Sequence, residues 1–219
     1  MRRIRAFLGF VGFVAMFAPL AGARASVVFD NVGQPAAGAS PVSVPLFASF
    51  STGNPGGDLS SLTLEMWAPN PSDSGSVRVT LRSDVFGSPG RGLASIGSVA
   101  DSALSSTFSA PSLVTLDPLN PIVLSANTRY WIGLSSNGGL ATPSSAYWVF
   151  TGSSLGTAVH SEFILNSANG SGVVADGTGL GTYIMMVDPI SAPEPASIAL
   201  FSVGLLGLGL TRRLRANNA

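Results

Sequence analysis

What most constrains this chain is an apolar periodicity that stays at two and never becomes helical. Between residues 26 and 190, short runs alternate apolar and polar side chains, and Gly, Ser, Asn and Pro interrupt them. In Leu62-Thr63-Leu64-Glu65-Met66-Trp67, Leu62, Leu64 and Met66 share one face, and Thr63, Glu65 and Trp67 the other, because successive strand side chains point to opposite sides. Val77-Arg78-Val79-Thr80-Leu81-Arg82 repeats the pattern, with Arg78, Thr80 and Arg82 on the wet face. Further strands are predicted over residues 42–52, 113–116, 122–124, 128–134, 146–151, 163–165 and 183–187. No interior segment sustains an apolar stripe at helical spacing. The expectation is an all-β domain, an antiparallel β-sandwich of jelly-roll-like form, with an open barrel as the alternative.

The long apolar runs lie elsewhere, over residues 6–20 and 196–210, so a hydrophobic content of 46% beside 10% charge does not describe the middle of the chain. Net charge likewise mixes segments. Four of the eleven basic residues precede residue 26 and three follow residue 192. The middle keeps Arg78, Arg82, Arg91 and Arg129 against ten acids, a formal charge of −6 with no Lys. Clustered Lys/Arg is what neutralises phosphate, so neither nucleic acid nor anionic lipid is an expected ligand. Cysteine is absent, which excludes disulfides, thiolate zinc sites and a Cys nucleophile. A single domain of roughly 165 residues buries enough surface to do without disulfides.

The N-terminus reads as a secretory leader over residues 1–25. Arg2, Arg3 and Arg5 form a basic start, the apolar run follows, and Ala23-Arg24-Ala25 supplies a small-residue cleavage site. Cleavage is predicted between Ala25 and Ser26, by signal peptidase after passage through the secretion machinery. The competing reading is an uncleaved N-terminal anchor.

The C-terminal tail spans 191–219. Pro193-Glu194-Pro195 precedes an uncharged run, predicted as a transmembrane helix over 196–211, and Arg212, Arg213 and Arg215 close it. Fifteen helical residues rise about 22 Å, short of the roughly 30 Å of a hydrocarbon core. Arg stems that snorkel and local thinning make up much of the difference. The Arg group prefers the cytoplasmic face, which leaves residues 26–190 outside, as the leader also predicts. Pro193 and Pro195 hold the segment before the helix extended, as a processing enzyme requires. Together with the Gly- and Leu-rich run from Phe201 to Gly209, these residues resemble a PEP-CTERM sorting domain. That resemblance implies exosortase, a membrane cysteine transpeptidase, as a partner, in bacteria that often make exopolysaccharide. A plain membrane anchor explains the helix and the arginines but not Pro-Glu-Pro.

Residues 27–188 more loosely resemble choice-of-anchor extracellular domains, notably type R, through Ala48-Ser49-Phe50-Ser51-Thr52, Leu62 to Met66, Pro89-Gly90, Arg129-Tyr130-Trp131-Ile132-Gly133-Leu134 and Tyr147-Trp148. This implies an anchored β-domain without defined chemistry.

Gly152-Ser153-Ser154-Leu155-Gly156 fits the nucleophile elbow Gly-x-Ser-x-Gly, which needs a strand before it and a helix after it. No helix is predicted there, and the only histidine, His160, follows six residues after Ser154. His160 alone cannot build a zinc site, and no metal or cofactor is expected. Asp30, Asp58, Asp73, Asp84, Asp101, Asp117 and Asp176 sit near turn formers, which accounts for them; calcium would need ligands gathered from afar. Glu65 and Glu162 are the only glutamates of the middle domain, with no sign of a shared cleft. Trp67, Trp131 and Trp148 are candidates for an outward platform that stacks on sugar rings; the competing reading places them in the core.

Overall fold

The computed structural model describes residues 28–54, 56–137, 143–158, 162–166, 173–175 and 182–190. Two antiparallel sheets form the framework of these residues. The strands are β1 (Phe29–Asp30), β2 (Ala36–Pro41), β3 (Leu46–Ser51), β4 (Gly57–Trp67), β5 (Ser76–Val85), β6 (Ser88–Ala100), β7 (Ser112–Leu116), β8 (Ile122–Leu124), β9 (Arg129–Ser136), β10 (Tyr147–Thr151), β11 (Phe163–Asn166), β12 (Val173–Ala175) and β13 (Met185–Ile190). A 3₁₀ turn, Asp101–Ala103, follows β6. Among the described residues no helix is long and apolar enough to cross a membrane. The predicted leader helix and the helix over 196–211 lie outside the described residues.

One sheet runs β1-β13-β4-β10-β2, with β7 and β8 also on β4. At eleven residues, β4 is long enough to take two partners on each edge. β13 covers Asp58 to Leu64 and β10 covers Met66 and Trp67; opposite them, β8 covers Gly57 to Leu59 and β7 covers Leu62 to Met66. The other sheet runs β12-β11-β3-β9-β5-β6.

The inner faces share one buried cluster, which fits the expected sandwich. Leu62, Leu64, Met66, Trp148 and Val187 come from one sheet, and Leu46, Phe50, Val77, Val79, Leu81, Tyr130, Ile132 and Leu134 from the other. Alternation in β4 and β5 therefore faces as the sequence predicts. Leu59 joins the core out of phase because Asp188 pairs with Ser61 and Pro189 with Leu59, a bulge that skips Ser60.

The predicted strand 42–52 is shorter. Residues 42–45 turn, and β3 begins at Leu46. Four strands escape the sequence pattern: β1, β2, β6 and β12. The longest of them, β6, is an edge strand containing Pro89, Gly90, Gly92 and Gly97, and its pairing with β5 shifts register three times. Pro and bulges of this kind keep an edge from recruiting another strand.

The first and last described strands, distant in sequence, are joined. β1 pairs with β13, and Asn31 binds the strand approach beside them. Its Nδ2 donates to Thr182 Oγ1 at 2.6 Å and to the Tyr183 carbonyl at 3.1 Å, and its Oδ1 accepts from Met185 N at 2.8 Å.

Candidate functional site

The structure does not bring the three tryptophans together. Trp148 is fully buried in the core, stacked on Tyr183 at 4.3 Å and 11°, with Nε1 donating to the Ile184 carbonyl at 3.1 Å. The same enclosure pushes the Tyr183 phenol up to about 12, against the pull of a hydrogen bond with Ser40. Trp131 faces away from the core cluster, yet it is also fully buried, and its Nε1 donates to Asp84 Oδ1 at 2.8 Å. Neither offers a face to a sugar, which corrects the platform as predicted.

Trp67 is the partly exposed one, on the outer face of β4. The β4–β10 register sets Tyr147 opposite it, and their rings stack at 4.9 Å and 28°. Phe108 meets Trp67 at 5.8 Å and is itself 37% exposed. The result is a three-ring row, Tyr147-Trp67-Phe108, in which the buried Trp67 Nε1 has no hydrogen-bond partner. Sequence reasoning missed Tyr147, whose place opposite Trp67 depends on cross-strand pairing, and Phe108, which reaches Trp67 from the turn before β7.

Glu65 stands on the same strand, in register with the exposed Leu113, and partial burial raises its carboxyl above the ordinary range. Glu162 belongs to the other sheet's surroundings. Ser49 Oγ donates to its Oε2 at 2.5 Å, and Arg129 Nε lies 3.3 Å from the same oxygen. Burial raises the Glu162 carboxyl, opposed by Ser49, Ser51 and Arg129. Glu65 thus lies in β4, while Glu162 precedes β11 and is held by Ser49 and Arg129 of the other sheet, so the two do not form a carboxylate pair.

Asp30, Asp73 and Asp84 behave as turn residues: each accepts a backbone N–H two or three residues on, from Val32, Gly75 and Gly87. Asp101 departs from the turn reading. It is fully buried, accepting from Ser144 Oγ and Ser145 N, both at 2.6 Å. Burial raises its carboxyl, Ser144 and Ser145 oppose that, and neighbouring Asp73 adds to the rise. Asp73 is held low by Ser145 and then by the Gly75 N–H. Among the described residues, no three His, Cys, Asp or Glu side chains gather as a metal site.

Ser154 follows strand β10, but residues 152–158 are not helical, so the strand-to-helix elbow is missing there. The neighbouring hydroxyl is engaged, Ser153 Oγ donating to Gln34 Oε1 at 2.9 Å. His160 and Asp176 lie outside the described residues, as do the predicted cleavage residues Ala23, Ala25 and Ser26. So do Pro193, Glu194, Pro195, Arg212, Arg213 and Arg215.

The last described strand delivers the chain to this tail: β13 ends at Ile190, paired with Asp58 near the start of β4. Immediately beyond, residues 191–213 match the PEP-CTERM protein-sorting motif. The class defined is therefore a β-sheet domain followed by a sorting signal of the kind exosortase processes, which implies export and processing at the membrane. Among curated proteins, none matches this chain.

Proposed function

We propose that this chain is an exported, non-enzymatic cell-surface or extracellular-matrix protein, delivered through signal peptidase and the secretion machinery and then sorted by exosortase. The observation that carries this reading is the sorting motif placed directly after the final strand. Two antiparallel sheets that share one apolar core are compatible with a jelly roll. The choice-of-anchor resemblance fits the same picture. In this reading the helix over 196–211 holds an inner-membrane intermediate with residues 26–190 outside. The intact mass of the mature surface form tests both ends together. Loss of residues 1–25 and a cut near Pro193-Glu194-Pro195 are expected; two intact termini overturn the proposal.

A second reading, an exopolysaccharide-binding module, is favoured by the partly exposed ring row Tyr147-Trp67-Phe108. Retardation in a gel containing the host's own polysaccharide, lost on Trp67→Ala, is its expected signature. Equal mobility of both proteins in gels with and without polysaccharide refutes it.

A further inference from the structure

The hairpin between β5 and β6 turns on Phe86-Gly87, with φ of +52° and +76°, flanked by the pair Val85 and Ser88. Two positive φ values in a two-residue loop make a type I′ turn, which matches strand twist and favours Asn-Gly. Phenylalanine suits it poorly, because its Cβ crowds the backbone in the left-handed region. Nothing in the fold compensates: the Phe86 ring is fully solvent-exposed and Val85 is 49% exposed. The turn is nonetheless held in shape, with Asp84 Oδ2 accepting from Gly87 N at 3.1 Å.

The position of this tip gives it a partner. Ser51 pairs with Arg129, and Ser83 with Tyr130, so β3 ends, β9 begins and β5 ends at one level. Phe86 lies three residues past Ser83, which carries it about 10 Å beyond that level. The short loop 52–56 leads from β3 into β4, where Asp58 pairs with Ile190. The chain therefore leaves for its tail from the end that carries Phe86. Only residues 191–195 separate Ile190 from the apolar run, at most about 17 Å when extended.

We propose that Val85 and Phe86 form a membrane-docking tip. While the tail is inserted, they dip into the interface of the same bilayer and hold Pro193-Glu194-Pro195 at a set height for its processing enzyme. This inference rests on the sorting reading. The attraction is apolar, as suits a lysine-free domain of net negative charge, and aromatic rings are at home in the interfacial layer.

The chain has no cysteine, so one introduced thiol carries one label. Full-length protein, isolated from membranes of a host without exosortase, is reconstituted in phosphatidylcholine vesicles containing nitroxide-labelled lipid. Fluorophores are placed singly by Ser88→Cys beside the tip, Ser72→Cys at the opposite end, and Leu205→Cys in the tail. Lipid quenching is expected at positions 88 and 205, none at 72, and loss of the signal at 88 when Phe86→Asp is added. An unquenched label at 88 beside a quenched one at 205 overturns the docking and leaves the sorting reading intact, and a protein partner for the tip becomes the better account. Quenching at 88 that survives Phe86→Asp also overturns it. An unquenched label at 205 overturns the inserted tail, and position 88 then decides the docking by itself.

Discussion

At the end of the sandwich where β4 passes to β5, polar groups are buried and matched. Asp101 receives Ser144 and Ser145, the Asp101 N–H donates to the Gly75 carbonyl at 3.0 Å, and no solvent reaches the carboxylate. At the other end, the β5–β6 turn projects an unfavourably placed aromatic ring into water, and β13 releases the chain at that same end. One end is shaped by what folding requires. The other carries side chains that folding alone would not select, which is where a task unrelated to stability is expected.

The sharpest way to break this contrast is Asp101→Ala, which strands Ser144 Oγ and Ser145 N in a buried site. We expect a loss of about 3 kcal/mol in urea unfolding, and a loss below about 1 kcal/mol would end the claim that this network closes the domain. Next comes Gly75→Ala, whose Cβ would stand 2.6 Å from Asp101 Oδ2 and 2.7 Å from Ser144 Cα. Its expected cost by the same measurement is about 2 kcal/mol, from overpacking. At the opposite end the sign reverses. Phe86→Asn places a residue that tolerates the left-handed region in the turn, and a gain of about 1 kcal/mol should raise the melting temperature. An unchanged or lower melting temperature would mean that the ring contributes to folding after all.

The smallest effect concerns pH. Glu162 has a folded-state pKa raised above its ordinary 4.5, so its contribution is fully present below 4.5 and is lost as pH rises through the folded value. The urea midpoint should therefore fall between pH 4.5 and 7, and fall less in Glu162→Gln. Identical slopes would show that Ser49 and Arg129 fully offset the burial.

Legibility in the sequence follows how much each strand depends on itself. In β4 and β5 large inward residues alternate with polar ones, so Leu62, Leu64, Met66, Val77, Val79 and Leu81 declare their face directly. In β6 only Ile96 and Val99 are buried large residues among thirteen, and β5 imposes the pairing. β2 has nothing larger than proline. It packs because Gly38 leaves room for Phe150, whose Cζ would lie 2.5 Å from an added Cβ. Of the candidate site, the sorting tail was readable because it is a linear signal. The tryptophans were not, since alternation gives the side of a sheet but not what covers it. Trp131 faces outward and is still buried.

The clasp at Asn31 sets a timetable for folding. Asn31 and Thr182 are 151 positions apart, and β1 meets its partner only in β13. A chain threaded across a membrane N-terminus first delivers Asn31 at the start and its partners at the very end. Closure of this sheet must wait for nearly the whole domain to cross, and such distant pairing is slow. During that interval the edge of β4 that β13 will cover stands open, a state that holding chaperones guard against aggregation. Because Thr182 and β13 lie next to the sorting tail, the domain cannot complete itself before that tail reaches the membrane, and folding finishes no earlier than translocation does.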